Sequence, residues 1–322
     1  MSELRKEMVL EEFCTEILHE IIRHLSISER RCLKQCSKLF KEVASSAPIF
    51  HEEVKFIDCQ NDIGLPHIRL QLDKLELDFE ETRDKEDDSP TTTMKVFVNN
   101  IPKAERTRVF EKANASDVAK KYLRELVIQN NVTCGYFETN YRYTTNYLED
   151  SEIIKSKKLR ITMPSQENGN ASTDKWLKRM KPETLRFMNV YRANQFFSVI
   201  GCEKQLSSLE VLNVIQRSDI DDEVLKSLAA LDIELEPARI TASGVNNLIH
   251  KWKGQSVPLH SQFVYYANDI EQFPLDQLVM NIPNVFYKSP TLALIPISTD
   301  RVIQVYVDLS SVNVACIRNI SK

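Results

Sequence analysis

FCTEILHEIIRHLSISERRCLKQCSKLFKEVASSAPIF, residues 13–50, is the stretch that decides how this chain is read. In it Phe13, Ile17 and Ile21 recur at i, i+4, i+8, while Leu18, Ile22 and Leu25 line the neighbouring stripe of the same helix. One stripe can pack inward; the other needs a second surface. Ser26, with Glu29 three positions on, forms a capping box that starts a second helix at about Ile27. That helix offers Leu33 and Cys36, and Leu39, Phe40 and Val43 repeat the helical spacing in a third. Three helices on a core of about forty residues sit near the lower limit for autonomous folding, so a partner is expected to hold the segment.

After Phe50 helical spacing gives way to alternation. HEEVKFIDC (51–59), HIRLQLDKLELDFEE (67–81) and TMKVFVNN (93–100) carry apolar residues at every second position, such as Ile68, Leu70 and Leu72, or Leu75, Leu77 and Phe79, and read as half-buried strands. Between the second and third, Asp84, Glu86, Asp87 and Asp88 form a charged run ending at Pro90. It is expected to be an exposed, mobile hairpin loop rather than an acidic docking tail. ASDVAKKYLREL (115–126) then reads as a helix with Ser116 as its N-cap.

The middle of the chain carries an irregular repeat. TLRFMNV (184–190) and SLEVLNV (208–214) superimpose at an offset of twenty-four residues, and weaker copies begin at Leu123 (LRELVI), Leu159 (LRITM), Leu231 (LDIEL) and Leu259 (LHSQFVYY). Short strands alternating with helices or loops at such a period are the signature of leucine-rich-repeat stacking, which builds a curved parallel sheet. Alternation puts Leu185, Phe187, Leu209 and Val211 on one face and Arg186, Met188, Glu210 and Leu212 on the other. The second face is expected to be the more exposed, with Arg186 and Glu210 contacting a protein target. Of Tyr265 and Tyr266 only one can face inward, and Tyr265 is assigned to the same target surface. Trp176 and Trp252 read as anchors of helices against the sheet.

Composition narrows the function. A chain of 322 residues with 42% hydrophobic content can bury a sizeable core in about two domains. Only six glycines are present, and none forms a phosphate-cradling loop. A net charge of -4 with both signs scattered argues against nucleic acid as a partner. No apolar run approaches the eighteen residues a membrane span needs, and MSELRKEMVLEEF lacks the apolar core of a secretory signal. The seven cysteines are odd in number and lie mostly in apolar patterns, which suggests buried, reduced thiols and a cytoplasmic or nuclear protein. Cys32 and Cys36 share a helix face after His24, but a fourth zinc ligand at convincing spacing is missing, so no metal is expected. The N-x-[ST] sequons at Asn114, Asn131, Asn170 and Asn319 are chance matches in this setting. The six histidines form no Cys-His or Ser-His-Asp constellation, so neither a catalytic residue nor a cofactor is expected.

Residues 13–50 resemble an F-box, through Phe13, Cys14, Glu16, Ile17, Leu18, Ile21, Ile22, Leu25, Leu33, Cys36 and Phe40. Cys14 stands where the consensus has proline, which removes a φ restraint at the helix entrance. SERRCLKQCSKLFKEV looks like the version common in nematode F-box families. In the family this motif docks the Skp-type adaptor of an SCF ubiquitin ligase. The resemblance therefore implies an adaptor-binding set of Phe13, Cys14, Ile17, Leu18, Ile21, Ile22, Leu25 and Leu33. A second stretch, ARITASGVNNLIHKWKGQSVPLHSQFVYY (238–266), resembles the nematode F-box-associated domain in Ile240, Thr241, Ala242, Asn246, Leu248, Trp252, Lys253 and Gly254. Physically, Thr241 can cap a helix with Val245, Leu248, Ile249 and Trp252 on one buried face, and Gly254 can supply its left-handed end. The expected architecture is α+β with an α/β repeat. It comprises a three-helix F-box (1–50), a β-rich region (51–115) with an acidic loop near 80–93, and a leucine-rich-repeat-like F-box-associated domain (116–322). The expected function is a non-catalytic substrate receptor, joined by a Skp-type adaptor to a cullin and binding an unidentified protein target. The alternative is an adaptor-binding scaffold with no part in ubiquitination.

Overall fold

The structure, a computed structural model, describes residues 15–23, 25, 27–47, 49–59, 65–84, 88–103, 106–130, 132–140, 152–162, 174–191, 196–236 and 238–319. Phe13, Cys14, His24, Ser26, Glu86 and Asp87 lie outside them. The chain divides into two compact units, 1–54 with 59–135, and 55–58 with 136–322. The boundary expected at 115/116 falls inside the first unit, because the helix that begins there packs on the strands before it.

In the first unit α1 (Thr15–Arg23), α2 (Ile27–Cys36) and α3 (Lys38–Ser46) surround a core of Leu18, Ile22, Phe40, Val43, Ala44 and Ala47, with Leu25 and Leu33 packed against it. Ser37 caps α3 by accepting the Phe40 N–H at 3.2 Å. Arg30 is 2% exposed, and its Nε and Nη1 donate to the carbonyls of Leu25 and Ala47 at 3.1 and 2.8 Å. One buried guanidinium thus ties together the chain segments that follow α1 and α3, satisfying acceptors that the helix ends leave open.

The strands of this unit form an antiparallel ladder of β2 (His67–Leu72), β3 (Leu75–Arg83) and β4 (Pro90–Val98), with β5 (Ile101–Pro102) and β6 (Arg108–Phe110) on β4. The stretch 67–81 is therefore two strands, not one. Asp73 turns the chain with φ 51°, and the alternation changes phase there, from Ile68, Leu70 and Leu72 to Leu75, Leu77 and Phe79. The same Asp73 accepts the Glu53 N–H at 2.9 Å and approaches His51 Nδ1 at 2.7 Å, linking the turn to β1 (Ile49–Asp58). α4 (Ala115–Leu123) buries Val118, Ala119 and Leu123 and packs on β2, β3 and β4. Its cap is Asn114, which accepts the Asp117 N–H at 2.8 Å, two residues before the expected Ser116. The helix widens into a π turn over Arg124–Ile128 and is followed by β7 (Val132–Thr139), so LRELVI is helical and not a repeat strand. A strand would bury Glu125 on the same face as Leu123 and Val127, whereas the helix leaves Glu125 exposed.

In the second unit β8 (Lys155–Thr162), β9 (Phe187–Tyr191), β10 (Val211–Ile215), β11 (Asp232–Leu235) and β12 (Gln262–Tyr266) are parallel neighbours in that order. The connections carry α5 (Asp174–Lys178), α6 (Glu203–Leu206), α7 (Asp222–Ser227) and α8 (Ala242–Gln255). After α9 (Leu275–Leu278) the chain reverses into the antiparallel strands β13 (Phe286–Ser289), β14 (Leu292–Pro296), β15 (Arg301–Val307) and β16 (Ser311–Arg318). β16 lies between β12 and β15. The buried strand face is Leu159 and Ile161, Met188 and Val190, Leu212 and Val214, Ile233 and Leu235, Phe263 and Tyr265. Met188 and Leu212 are thus core, against expectation. Leu185 and Leu209 are buried as well, but they precede the extended backbone, so alternation counted from them slips by one where each strand begins. Trp176, 4% exposed, sits with its ring 5.5 Å from that of Phe137 and 6.1 Å from that of Phe56.

α8 is capped by Thr241, which accepts the Gly244 N–H at 3.3 Å, and it buries Val245, Leu248, Ile249 and Trp252. It runs past Gly254; the left-handed residue is Ser256, at φ 51°. Asn246, 8% exposed, donates from Nδ2 to the carbonyls of Leu278 and Met280 at 2.9 and 3.1 Å, which holds the end of α9 onto α8. Asp222 of α7 receives the Thr241 N–H and hydroxyl at 2.9 and 2.6 Å, and a Cβ on Gly244 would lie 2.0 Å from its Oδ1. Gly244→Ala should therefore lower stability by about 1–2 kcal/mol despite the better helix propensity, since it displaces that carboxylate. Gly254→Ala, with nothing within 4 Å of the new Cβ, should raise it by about 0.5–1 kcal/mol. Urea denaturation of the two variants checks both signs, and a Gly244→Ala protein as stable as the parent would remove the steric argument.

Cys134, Cys202 and Cys316 are buried and Cys59 half-buried. Cys32 and Cys36 are exposed, a correction to the expectation of buried thiols: α2 gives Leu33 to the core and turns its cysteines outward. Among the described residues no three His, Cys, Asp or Glu side chains stand together as metal ligands. No described helix is long and apolar enough to cross a membrane.

Candidate interaction surfaces

α1 has a buried stripe and an exposed one. Leu18 and Ile22 are 0% exposed, whereas Ile17 and Ile21 are 45% and 37% exposed. The packing follows from the helical period: both stripes are apolar, and α3 supplies partners for only one. Of the eight residues assigned to adaptor binding, Leu18 and Ile22 therefore belong to the core and not to a docking face. Leu25 and Leu33 are half-buried against that core. Phe13 and Cys14 lie outside the described residues. Leu39, 36% exposed on α3, adds an apolar side chain that the sequence reading left out of the adaptor set. The signal for it was the pair Leu39–Phe40, since adjacent residues on a short helix cannot both face one core, and Phe40 is the inward one. His19 Nε2 lies 2.8 Å from Ser46 Oγ, which joins α1 to α3 beside the exposed stripe.

The second surface is the open face of the parallel sheet. Strand register aligns its side chains into rows: Arg160, Asn189, Asn213, Glu234 and Val264 form one, and Lys158, Phe187, Val211, Asp232 and Gln262 the next. All are exposed or half-exposed, in contrast to the buried residues between them. The charges separate across the sheet. On β8, Lys158 lies over the Phe187 ring at 5.0 Å and Arg160 over the Tyr191 ring at 5.4 Å. On β11 and just after it stand Asp232, Glu234 and Glu236. Burial first, and then the neighbouring Glu234, push the Glu236 carboxyl above its ordinary range. Between the two sides, the Oδ1 atoms of Asn189 and Asn213 are covered yet have no hydrogen-bond partner.

The residues assigned to target binding fall unequally on this surface. Arg186 and Glu210 stand at the row preceding β9 and β10 and pair with each other at 3.5 Å, with Glu210 61% exposed. Tyr265 is 4% exposed: its hydroxyl donates to the Ala238 carbonyl at 3.1 Å and its ring is 5.4 Å from that of Phe273. It is a core residue, and Tyr266, with its hydroxyl 3.3 Å from Glu234 Oε1, is the tyrosine on the open face. The rows through Arg160 and Glu234 were missed because they appear only once the register between strands far apart in sequence is known.

Neither any curated protein nor any solved structure matches this chain. The amino-terminal segment does match a family: residues 10–52, which include α1, α2 and α3, form an F-box domain.

Proposed function

We propose that this chain is a non-catalytic target receptor of a Skp–cullin–F-box ubiquitin ligase. F-box domains bind a Skp-type adaptor and, through it, a cullin. The observation that carries the proposal is the coincidence of the F-box match with an α1 whose second apolar stripe, Ile17 and Ile21, is left uncovered. The carboxy-terminal half then serves as the recognition module, an irregular leucine-rich-repeat-like domain of the F-box-associated kind. Support comes from the parallel strands with helical crossovers and from the pattern of 238–266, in which Asn246 and Trp252 both have packing roles in α8. Holding a target beside the conjugating enzyme raises its effective concentration, so acceleration needs no catalytic group on this chain.

Affinity purification of the full chain, beside a variant lacking residues 10–52, tests the proposal. Cullin and ubiquitinated proteins should accompany the first and not the second; recovery of adaptor without cullin would leave a scaffold instead. The Arg186–Glu210 pair offers a finer check. Exchanging the charges (Arg186→Glu with Glu210→Arg) keeps an ion pair possible and changes what a partner meets. Adaptor capture and melting temperature should be unchanged while co-purifying targets decline. Equal recovery of those targets would remove this pair from the recognition surface.

A further inference from the structure

The open face of the parallel sheet shows more than exposure, because its charges lie at a fixed spacing. Arg160, Asn189, Asn213 and Glu234 occupy one row on four consecutive parallel strands. Three inter-strand steps of about 4.8 Å separate the first from the last, or about 14 Å. An extended chain advances about 3.4 Å per residue, so about four residues span that distance, and side chains at i and i+4 of an extended chain point to the same side.

Both ends of the row have unused capacity. Arg160 is partly engaged, with Nε 3.8 Å from Glu138 Oε1 and Nη1 donating to the Tyr136 hydroxyl at 3.4 Å, but Lys158 one row away is exposed and no carboxylate among the described residues pairs with it. At the other end Glu234 accepts only the Tyr266 hydroxyl, and no cation pairs with Glu234 or Glu236 among the described residues. Two neighbouring carboxylates without a counter-charge are a standing electrostatic cost that a basic partner relieves. Between the ends stand the half-exposed amides of Asn189 and Asn213, whose covered Oδ1 atoms have no hydrogen-bond partner and accept a peptide N–H once the side chain turns outward.

We infer that this face takes an extended peptide segment of the target laid across the strands, with an acidic and a basic side chain about four residues apart. The acid meets Arg160 and Lys158, the base meets Glu234 and Glu236, and the intervening backbone passes over the asparagines. This deepens, and rests on, the receptor reading.

The test uses the full chain co-expressed with adaptor and an array of short Ser/Ala peptides carrying Asp and Lys at stepped separations, with Asp/Asp and Lys/Lys controls. The parent chain should retain the mixed-charge peptides best at the four-residue separation. Glu234→Lys with Glu236→Lys makes both ends basic and should invert the preference, favouring Asp/Asp over Asp/Lys at that separation by about tenfold or more. A structural role for these glutamates would not produce that inversion. Retention without charge preference, an unchanged preference in the variant, or no retention of any peptide would each overturn the inference. Adaptor capture, measured on the same samples, separates this from the receptor reading: adaptor bound without peptide selection rejects the peptide mode alone, and peptide selection without adaptor rejects the ligase role alone.

Discussion

Trp252→Ala should destabilise the carboxy-terminal unit by about 3 to 5 kcal/mol, the cost of removing a large buried aromatic and leaving a cavity. Trp252 is 1% exposed and shares the buried face of α8 with Val245, Leu248 and Ile249. Neighbouring groups have little freedom to collapse into the space, since Asn246 fixes α8 to the Leu278–Met280 segment and Thr241 fixes it to Asp222. For a unit of this size the loss corresponds to a fall of roughly 10 °C in melting temperature. Differential scanning calorimetry checks it, with adaptor capture as the control for an intact amino terminus. A change below about 1 kcal/mol would mean that Trp252 acts as a recognition residue and not as an anchor.

Replacing Ile17 and Ile21 together by Asp should reduce adaptor binding by more than about a hundredfold, because each variant carboxylate would be buried against an apolar partner. Folding should survive, since both side chains are already exposed and the Leu18–Ile22 stripe that builds the core is untouched. Leu18→Asp is the contrasting variant: it should lose helicity as well as binding. Calorimetric titration with purified adaptor, beside circular dichroism of each variant, distinguishes the two outcomes. Undiminished affinity of the Ile17/Ile21 variant would refute the outer stripe as the docking face.

The parts of this molecule legible in its sequence are those set by local periodicity. Helical spacing marked the amino-terminal elements, alternation marked β1, β4 and, as one undivided stretch, β2 with β3, and the capping chemistry of Thr241 and the buried face of α8 could be read directly. What could not be read depends on where a period starts or on contacts distant along the chain. A one-residue slip at the entrances of β9 and β10 moved Met188 and Leu212 from the expected open face to the core. The resemblance to an F-box named both stripes of α1 without separating the inward Leu18 and Ile22 from the outward Ile17 and Ile21. Arg30 gave no sequence signal at all, because one of its acceptors is seventeen residues away. Nor did the Asp222 carboxylate that requires glycine at 244. Tyr265 and Tyr266 posed a two-way choice that only the register of β12 against β11 decides.

The placement of β16 sets an order on how the protein can be made. β12 finds β11 as soon as residue 266 is available, but its other neighbour is Ser311–Arg318, and β15 waits for the same strand. While translation proceeds through the segment between them, the parallel array keeps a bare backbone edge able to pair with any foreign strand. The amino-terminal helices need no such late arrival, since all their core partners lie within Leu18–Ala47. During synthesis the end of the chain that carries the F-box is therefore complete well before the parallel sheet is closed, and a chain cut short within β16 would keep two unpaired edges instead of none at that position.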